Sequence, residues 1–142
     1  MQAVILAGGQ GTRLRPYTAV LPKPLMPIGD MPILEIVLRQ LQRAGFRDVT
    51  LAVSYLAEMM QAYCGDGSRF GLRIRYSRET ASLSTAGPLK LIPGLDDTFL
   101  VMNGDLLTTL DYAALIRFHR EHGAMATIAT HRRTVLIDYG VV

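Results

Sequence analysis

At 142 residues, with 49% hydrophobic and 19% charged side chains, the chain is long enough for one domain with a real core and has no low-complexity tract. A net charge of +3 carried by scattered cations argues against a nucleic-acid partner, and no apolar run approaches a membrane span. The N-terminus has no basic leader ahead of a cleavage site, and the single cysteine, Cys64, rules out an internal disulfide and fits a reducing cytoplasm.

Val4-Ile5-Leu6 is the first expected element, a short apolar run suited to a buried strand. Ala7-Gly8-Gly9-Gln10-Gly11-Thr12 follows at once. Its glycines let the backbone turn sharply and bring bare amides close to a ligand. Arg13, Arg15 and Lys23 come next, and no Asp or Glu precedes Asp30. Amides beside uncompensated cations suit a polyanion, above all a phosphate chain. The spacing fits neither familiar phosphate loop. Gly11 is followed by Thr12-Arg13 instead of Lys-Ser or Lys-Thr, and Leu14 stands where a dinucleotide fingerprint needs its third glycine. A plain glycine turn after a strand would use the same glycines; the neighbouring cations weigh against it.

Asp30 is expected to cap a helix whose first turn holds Pro32. Ile33, Leu34, Val37, Leu38 and Leu41 form its apolar stripe, Arg39 and Arg43 lie toward its C-terminal end, and Gly45 stops it. Val49 to Val53 reads as a buried strand. Leu56, Met59, Met60 and Tyr63 suggest a short helix ended by Gly65, with the methionines as packing and Cys64 as a small hydrophobe at its end. Leu72 to Tyr76 alternates as a strand with one wet face. Phe99 to Met102 is a buried strand broken by Asn103-Gly104-Asp105. Asp111 begins a helix with Leu115 and Phe118 inward and Gly123 closing it. Ala126 to Thr130 and Tyr139 to Val142 read as further strands. His119 and His122 could clamp a metal across one helical turn, although solvent placement is the plainer reading, and His131 has no ligand company. Asp96-Asp97 reads as a turn and cap.

Strands and helices alternating at these intervals imply an α/β domain with a parallel sheet and right-handed crossovers, and no second domain. Ligands in such sheets sit beyond the carboxyl ends of strands. Gly8-Gly9 and Asn103-Gly104-Asp105 both fall there. Asp105 is a hard oxygen donor suited to Mg²⁺, though the tripeptide in isolation reads first as a turn.

The stretch LAGGQGTRLRPYTAVLPKPLMPI resembles the signature of the sugar-1-phosphate nucleotidylyltransferases, or NDP-sugar pyrophosphorylases. Ala7 to Thr18 follows Ala-Gly-Gly-x-Gly-Thr-Arg-Leu-x-Pro-x-Thr, and Pro22 to Pro27 follows Pro-Lys-Pro-Leu-x-Pro. Arg78 to Leu89 resembles a third block, Arg-Glu-x-x-Pro-Leu-Gly-Thr-Ala-Gly-Pro-Leu. It departs at Ser82 and Ser84, and Ser84 is strained if the position needs a positive φ. The motifs are nearest to mannose-1-phosphate guanylyltransferase-like members.

The resemblance implies a Rossmann-like three-layer α/β sandwich with a mostly parallel sheet, of the nucleotide-diphospho-sugar transferase type and truncated. Residues 1–142 would be the N-terminal, nucleotide-binding part of a nucleotidyltransferase domain. It also implies the reaction: a sugar 1-phosphate attacks the α-phosphorus of a nucleoside triphosphate, and pyrophosphate leaves. Gly8, Gly9 and Gly11 would supply amides in a loop that includes Thr12, while the Leu6-Ala7-Gly8 backbone would face the base. Arg13 would hold the triphosphate, Lys23 would neutralise the phosphates, and Asp105 would anchor Mg²⁺. Glu79 and Gly87 would line the base pocket, although Glu79 alone also reads as a solvated charge after an edge strand. Gly140 would lie at the sugar. A Glu-Lys-Pro block and a second metal-binding carboxylate, which the family carries further on, do not occur in these residues.

A carboxylate at position 79 can accept from both N1–H and N2–H₂ of guanine, which favours GTP, with a mannose-like or heptose-like 1-phosphate by family analogy. The rival reading is a nucleotide-binding or regulatory homologue without turnover. A free strand edge at the end of the chain leaves self-association into a homo-oligomer open.

Overall fold

In the computed structural model, which describes residues 1–79 and 83–136, the apolar runs assemble into one parallel sheet. In chain order the elements are β1 (Gln2–Leu6), a hairpin of β2 (Pro27–Ile28) and β3 (Met31–Pro32), α1 (Ile33–Arg43), β4 (Asp48–Val53), α2 (Ala57–Cys64), β5 (Arg73–Arg78), β6 (Phe99–Asn103) and α3 (Tyr112–His122). The sheet order is β5-β4-β1-β6, and Leu6 stands opposite both Ala52 and Asn103. The chain therefore steps outward from β1 through β4 to β5, then returns to lay β6 on the other side of β1. That reversal leaves a crevice beyond the carboxyl ends of β1 and β6.

One face of the sheet carries the core. Ala3, Ile5, Val49, Leu51, Ile74, Leu100 and Met102 pack against α1, α2 and the Tyr112 and Ile116 side chains of α3. In α1 the expected stripe is realised, with Leu34, Val37, Leu38 and Leu41 all fully buried. Each contributes about 1.5–3 kcal/mol through burial. The opposite face holds the connection from β5 to β6, whose regular part among the described residues is the 3₁₀ segment Gly87–Leu91. Gln2 ties it down: its Nε2 donates to the Gly94 carbonyl at 3.1 Å, and its Oε1 accepts from the Asp96 amide at 2.9 Å.

Three expectations are corrected. Asp30 does not cap α1; it sits in the β2–β3 hairpin turn beside Gly29 at φ +63°. The cap position is Pro32, without a side-chain bond, and the first free amide of the helix, Ile33, donates to the Met26 carbonyl at 3.0 Å. Phe118 is half exposed instead of inward, because α3 buries the i, i+4 pair Tyr112 and Ile116, and Phe118 stacks on His122. Ala126 to Thr130 forms no strand: Ile128 is 81% exposed, and the segment has no ladder partner among the described residues. The two histidines, for which solvent placement is the plainer reading, make separate contacts. His119 Nδ1 meets Thr127 Oγ1 at 2.9 Å, and His122 Nδ1 meets the Phe118 carbonyl at 2.8 Å, so the two rings are committed to different partners. The segment Tyr139 to Val142 lies outside the described residues.

Burial pushes the Cys64 thiol up to about 11, so it stays protonated and serves as packing. Glu35 is the one buried carboxylate among the described residues. It accepts from the Tyr63 hydroxyl and from Arg39 Nε at 2.8 Å, with Arg69 at 3.7 Å, which ties α1 to α2 and to the turn after it. The Tyr63 bond, then Arg39, hold its carboxyl below the ordinary 4.5. That contribution is complete above 4.5 and is lost as pH falls through the depressed value. Glu35→Gln is expected to cost about 2 kcal/mol at neutral pH and to flatten the acid limb of the stability profile. Urea unfolding of both proteins between pH 3 and 7 measures it; parallel profiles would remove Glu35 from the account.

Candidate functional site

The last rungs of the sheet deliver two loops to the same place. The Ala7 amide donates to the Ala52 carbonyl at 2.8 Å, and the Gly104 amide donates to the Leu6 carbonyl at 2.9 Å. Beyond these bonds the Gly8–Gly11 loop leaves β1 and the Asn103-Gly104-Asp105 loop leaves β6. Packing, not backbone conformation, favours glycine at 104. A Cβ there would lie 3.1 Å from Ile5 Cγ2, 3.3 Å from Ala7 Cβ and 3.4 Å from Pro24 Cγ.

A cleft of about 590 Å³ opens between these loops. Leu6, Ala7, Gly8, Gly9, Gly11, Thr12, Arg13, Lys23 and Asp105 line it, together with Leu14, Pro24, Ser84, Thr85, Pro88 and Asn103. Its size falls in the range of small-molecule sites. Lys23 is held in a short 3₁₀ turn, Lys23–Leu25, between Pro22 and Pro24. Its Nζ reaches Asp105 Oδ2 at 2.5 Å, joining the two sides of the cleft, and both side chains remain partly exposed. Arg13 is exposed on the wall and makes no ion pair with a described residue.

Two expected base-pocket residues, Glu79 and Gly87, are not among the residues that line the cleft. The Glu79 amide continues the ladder by donating to the Val53 carbonyl at 3.0 Å, and its carboxylate lies against Gly8, where a Cβ would stand 2.9 Å from Glu79 Oε1. Gly87 turns its loop tightly, since a Cβ there would meet Leu83 Cβ at 2.6 Å, and its neighbour Pro88 forms the wall. Gly140 lies outside the described residues. Asp105 and Asn103 offer hard oxygen atoms at the cleft, a donor chemistry that suits Mg²⁺ with its remaining positions filled by phosphate and water.

A family model described as nucleotidyl transferase matches residues 2–142. The chain belongs to that family. Among relatives of the nucleotidyl transferase, a UTP–glucose-1-phosphate uridylyltransferase from Synechocystis is 43% identical over 157 aligned positions, covering all of this chain and 40% of its own length. A probable mannose-1-phosphate guanylyltransferase from Oryza sativa is 42% identical, with all of this chain and 41% of the relative covered. The chain thus spans about two fifths of these relatives. Among solved structures, HddC from Yersinia pseudotuberculosis complexed with GMP-PN superposes with a TM-score of 0.71 at 30% identity, over 83% of this chain and 53% of its own. A putative glucose-1-phosphate thymidylyltransferase from Bacillus anthracis gives a TM-score of 0.77 at 25% identity, over 85% and 50%.

Ser84, which stands where the resembled third block has glycine, takes a positive φ of +62°. A side chain in that region costs about 1–2 kcal/mol. Ser84→Gly is therefore expected to raise stability by about 1 kcal/mol, read as a higher midpoint in urea. A lower midpoint would show that the hydroxyl, not the backbone, decides this loop.

Proposed function

We propose that residues 1–142 form the nucleotide-binding part of a nucleotidyltransferase domain that transfers a nucleoside monophosphate from a nucleoside triphosphate to a sugar 1-phosphate. One observation carries the reading: the sheet reversal gathers glycine amides, Arg13 and Lys23 on one side of a single cleft and Asp105 on the other. A sugar-phosphate oxygen would form the new bond to the α-phosphorus while the α–β bridging bond breaks and pyrophosphate departs. This needs positioning and charge neutralisation rather than a covalent intermediate on the protein. Arg13 has the planar, forked donor set that suits adjacent phosphate oxygens. Lys23, stiffened by its flanking prolines, would balance charge where the phosphates meet. Asp105, with Asn103 beside it, would hold Mg²⁺, which when bound supplies Lewis-acid neutralisation of the phosphates.

Relatives named for guanylyl, uridylyl and thymidylyl transfer all match, so the base rests on Glu79. Its carboxylate beside Gly8 has two acceptor oxygens for the paired donors of guanine, which supports GTP with a mannose-like or heptose-like 1-phosphate. A reducing cytoplasm is the proposed compartment. The test is pyrophosphate release from each nucleoside triphosphate with a panel of sugar 1-phosphates, on the chain and on the full gene product. Preference for UTP or dTTP defeats the base assignment. Tight nucleotide binding without pyrophosphate release from the full product would favour a binding module without turnover.

A further inference from the structure

Thr18 is a polar side chain without an evident duty in a nucleotide site: it is 2% exposed and is not among the residues that line the cleft. Its Oγ1 donates to the Gly11 carbonyl at 2.9 Å. The same carbonyl accepts from the Leu14 amide at 2.9 Å, so both of its lone pairs are engaged on the protein side. Thr18 Cγ2 also packs against Gly11, 3.0 Å from where a Cβ would stand. The 3₁₀ turn that carries Thr18, Tyr17–Ala19, is itself anchored, because the Tyr55 hydroxyl donates to the Ala19 carbonyl at 3.1 Å.

Peptide planarity gives this arrangement a consequence. In a trans peptide the carbonyl and the following N–H point in opposite directions. Holding the Gly11 carbonyl inward therefore turns the Thr12 N–H outward, on the side where Gly11, Thr12 and Arg13 form the cleft wall. Gly11 at φ +60° makes the turn that permits it. Backbone amides presented this way next to an arginine form an anion-binding concavity.

We propose that Thr18 is a positioning residue for phosphate binding: its hydroxyl locks the Gly11–Thr12 peptide so that the Thr12 amide donates to the triphosphate. The proposal rests on the nucleotide reading of the cleft. Thr18→Val keeps the shape and the methyl contact with Gly11 but removes the donor; Thr18→Ser keeps the donor and removes the methyl. Calorimetry with magnesium and GTP, and with inorganic tripolyphosphate as a base-free probe, is expected to show about tenfold weaker binding for Thr18→Val and wild-type affinity for Thr18→Ser. In wild type the Thr12 amide resonance should move on adding tripolyphosphate, and in Thr18→Val it should move less. Equal affinity in Thr18→Val, or an equal loss in Thr18→Ser, would overturn the proposal while leaving the nucleotide reading intact. A wild-type chain that binds neither probe would overturn both.

Discussion

Asp105→Asn is expected to weaken magnesium-dependent nucleoside triphosphate binding by about 100-fold, because altering even the outer partners of a metal site costs about 10–100-fold and this change removes a proposed ligand. Folding should be nearly untouched. The side chain lies in a loop, and the bond to Lys23 is an ion pair between groups 40% and 30% exposed, worth less than about 1 kcal/mol. The amide also leaves Lys23 without its counter-charge, so metal-free binding of the triphosphate should hold or improve. Calorimetry with excess magnesium and then with chelator separates the two effects. A variant that keeps the full magnesium response would reduce Asp105 to a turn residue.

Gly67→Ala is expected to have the largest effect on stability, about 3 kcal/mol or more. Gly67 has φ +88°, and a Cβ there would stand 2.6 Å from Ile74 Cγ1, 2.9 Å from the Leu72 carbonyl oxygen and 3.0 Å from the Ile74 amide nitrogen. Two of the three are backbone atoms at the start of β5, which cannot retreat without disturbing the β4–β5 ladder. Left-handed strain adds about 1–2 kcal/mol and overpacking about 1–3 kcal/mol. Gly123→Ala is the control, since Gly123 is also left-handed, at φ +57° and ψ +27°, but has nothing within 4 Å of its Cβ position. It should lose only the strain. For a domain of this size the Gly67 change should lower the melting temperature by about 10 °C. Equal losses from the two variants would show that the close approach at Gly67 is not what matters.

The parts of the fold that were legible in the sequence are those set by local pattern. The α1 stripe, the apolar runs of β1, β4 and β6, and the glycine stops at Gly45, Gly65 and Gly123 each depend on a few neighbouring residues. What was misread depends on distant partners. Asp30 looks like a cap until the pairing of Pro27–Ile28 with Met31–Pro32 is known. Ala126 to Thr130 has strand residues, but a strand needs a ladder as well as propensity. Phe118 and Ile116 differ only in the phase of one helical stripe.

The site divides in the same way. Gly8, Gly9, Gly11, Arg13, Lys23 and Asp105 announce themselves by residue type, and the fold brings them to one cleft. The strain at Ser84 could be anticipated because a serine occupies a glycine position of the motif. Thr18 carried no such signal beyond closing the first motif block, since its partner is seven residues back around a turn. Pro24 and Pro88 became wall residues only through the fold. Glu79 comes up against Gly8, a contact that no spacing rule contains.

Hydrogen exchange of the backbone amides, with and without magnesium and nucleoside triphosphate, tests the central claim most directly. The account expects ligand-induced protection at Gly8 to Arg13, around Lys23 and Ser84-Thr85, and at Asn103 to Asp105, with α2 and α3 unchanged. Binding accompanied by protection elsewhere, with these loops unaffected, would contradict it.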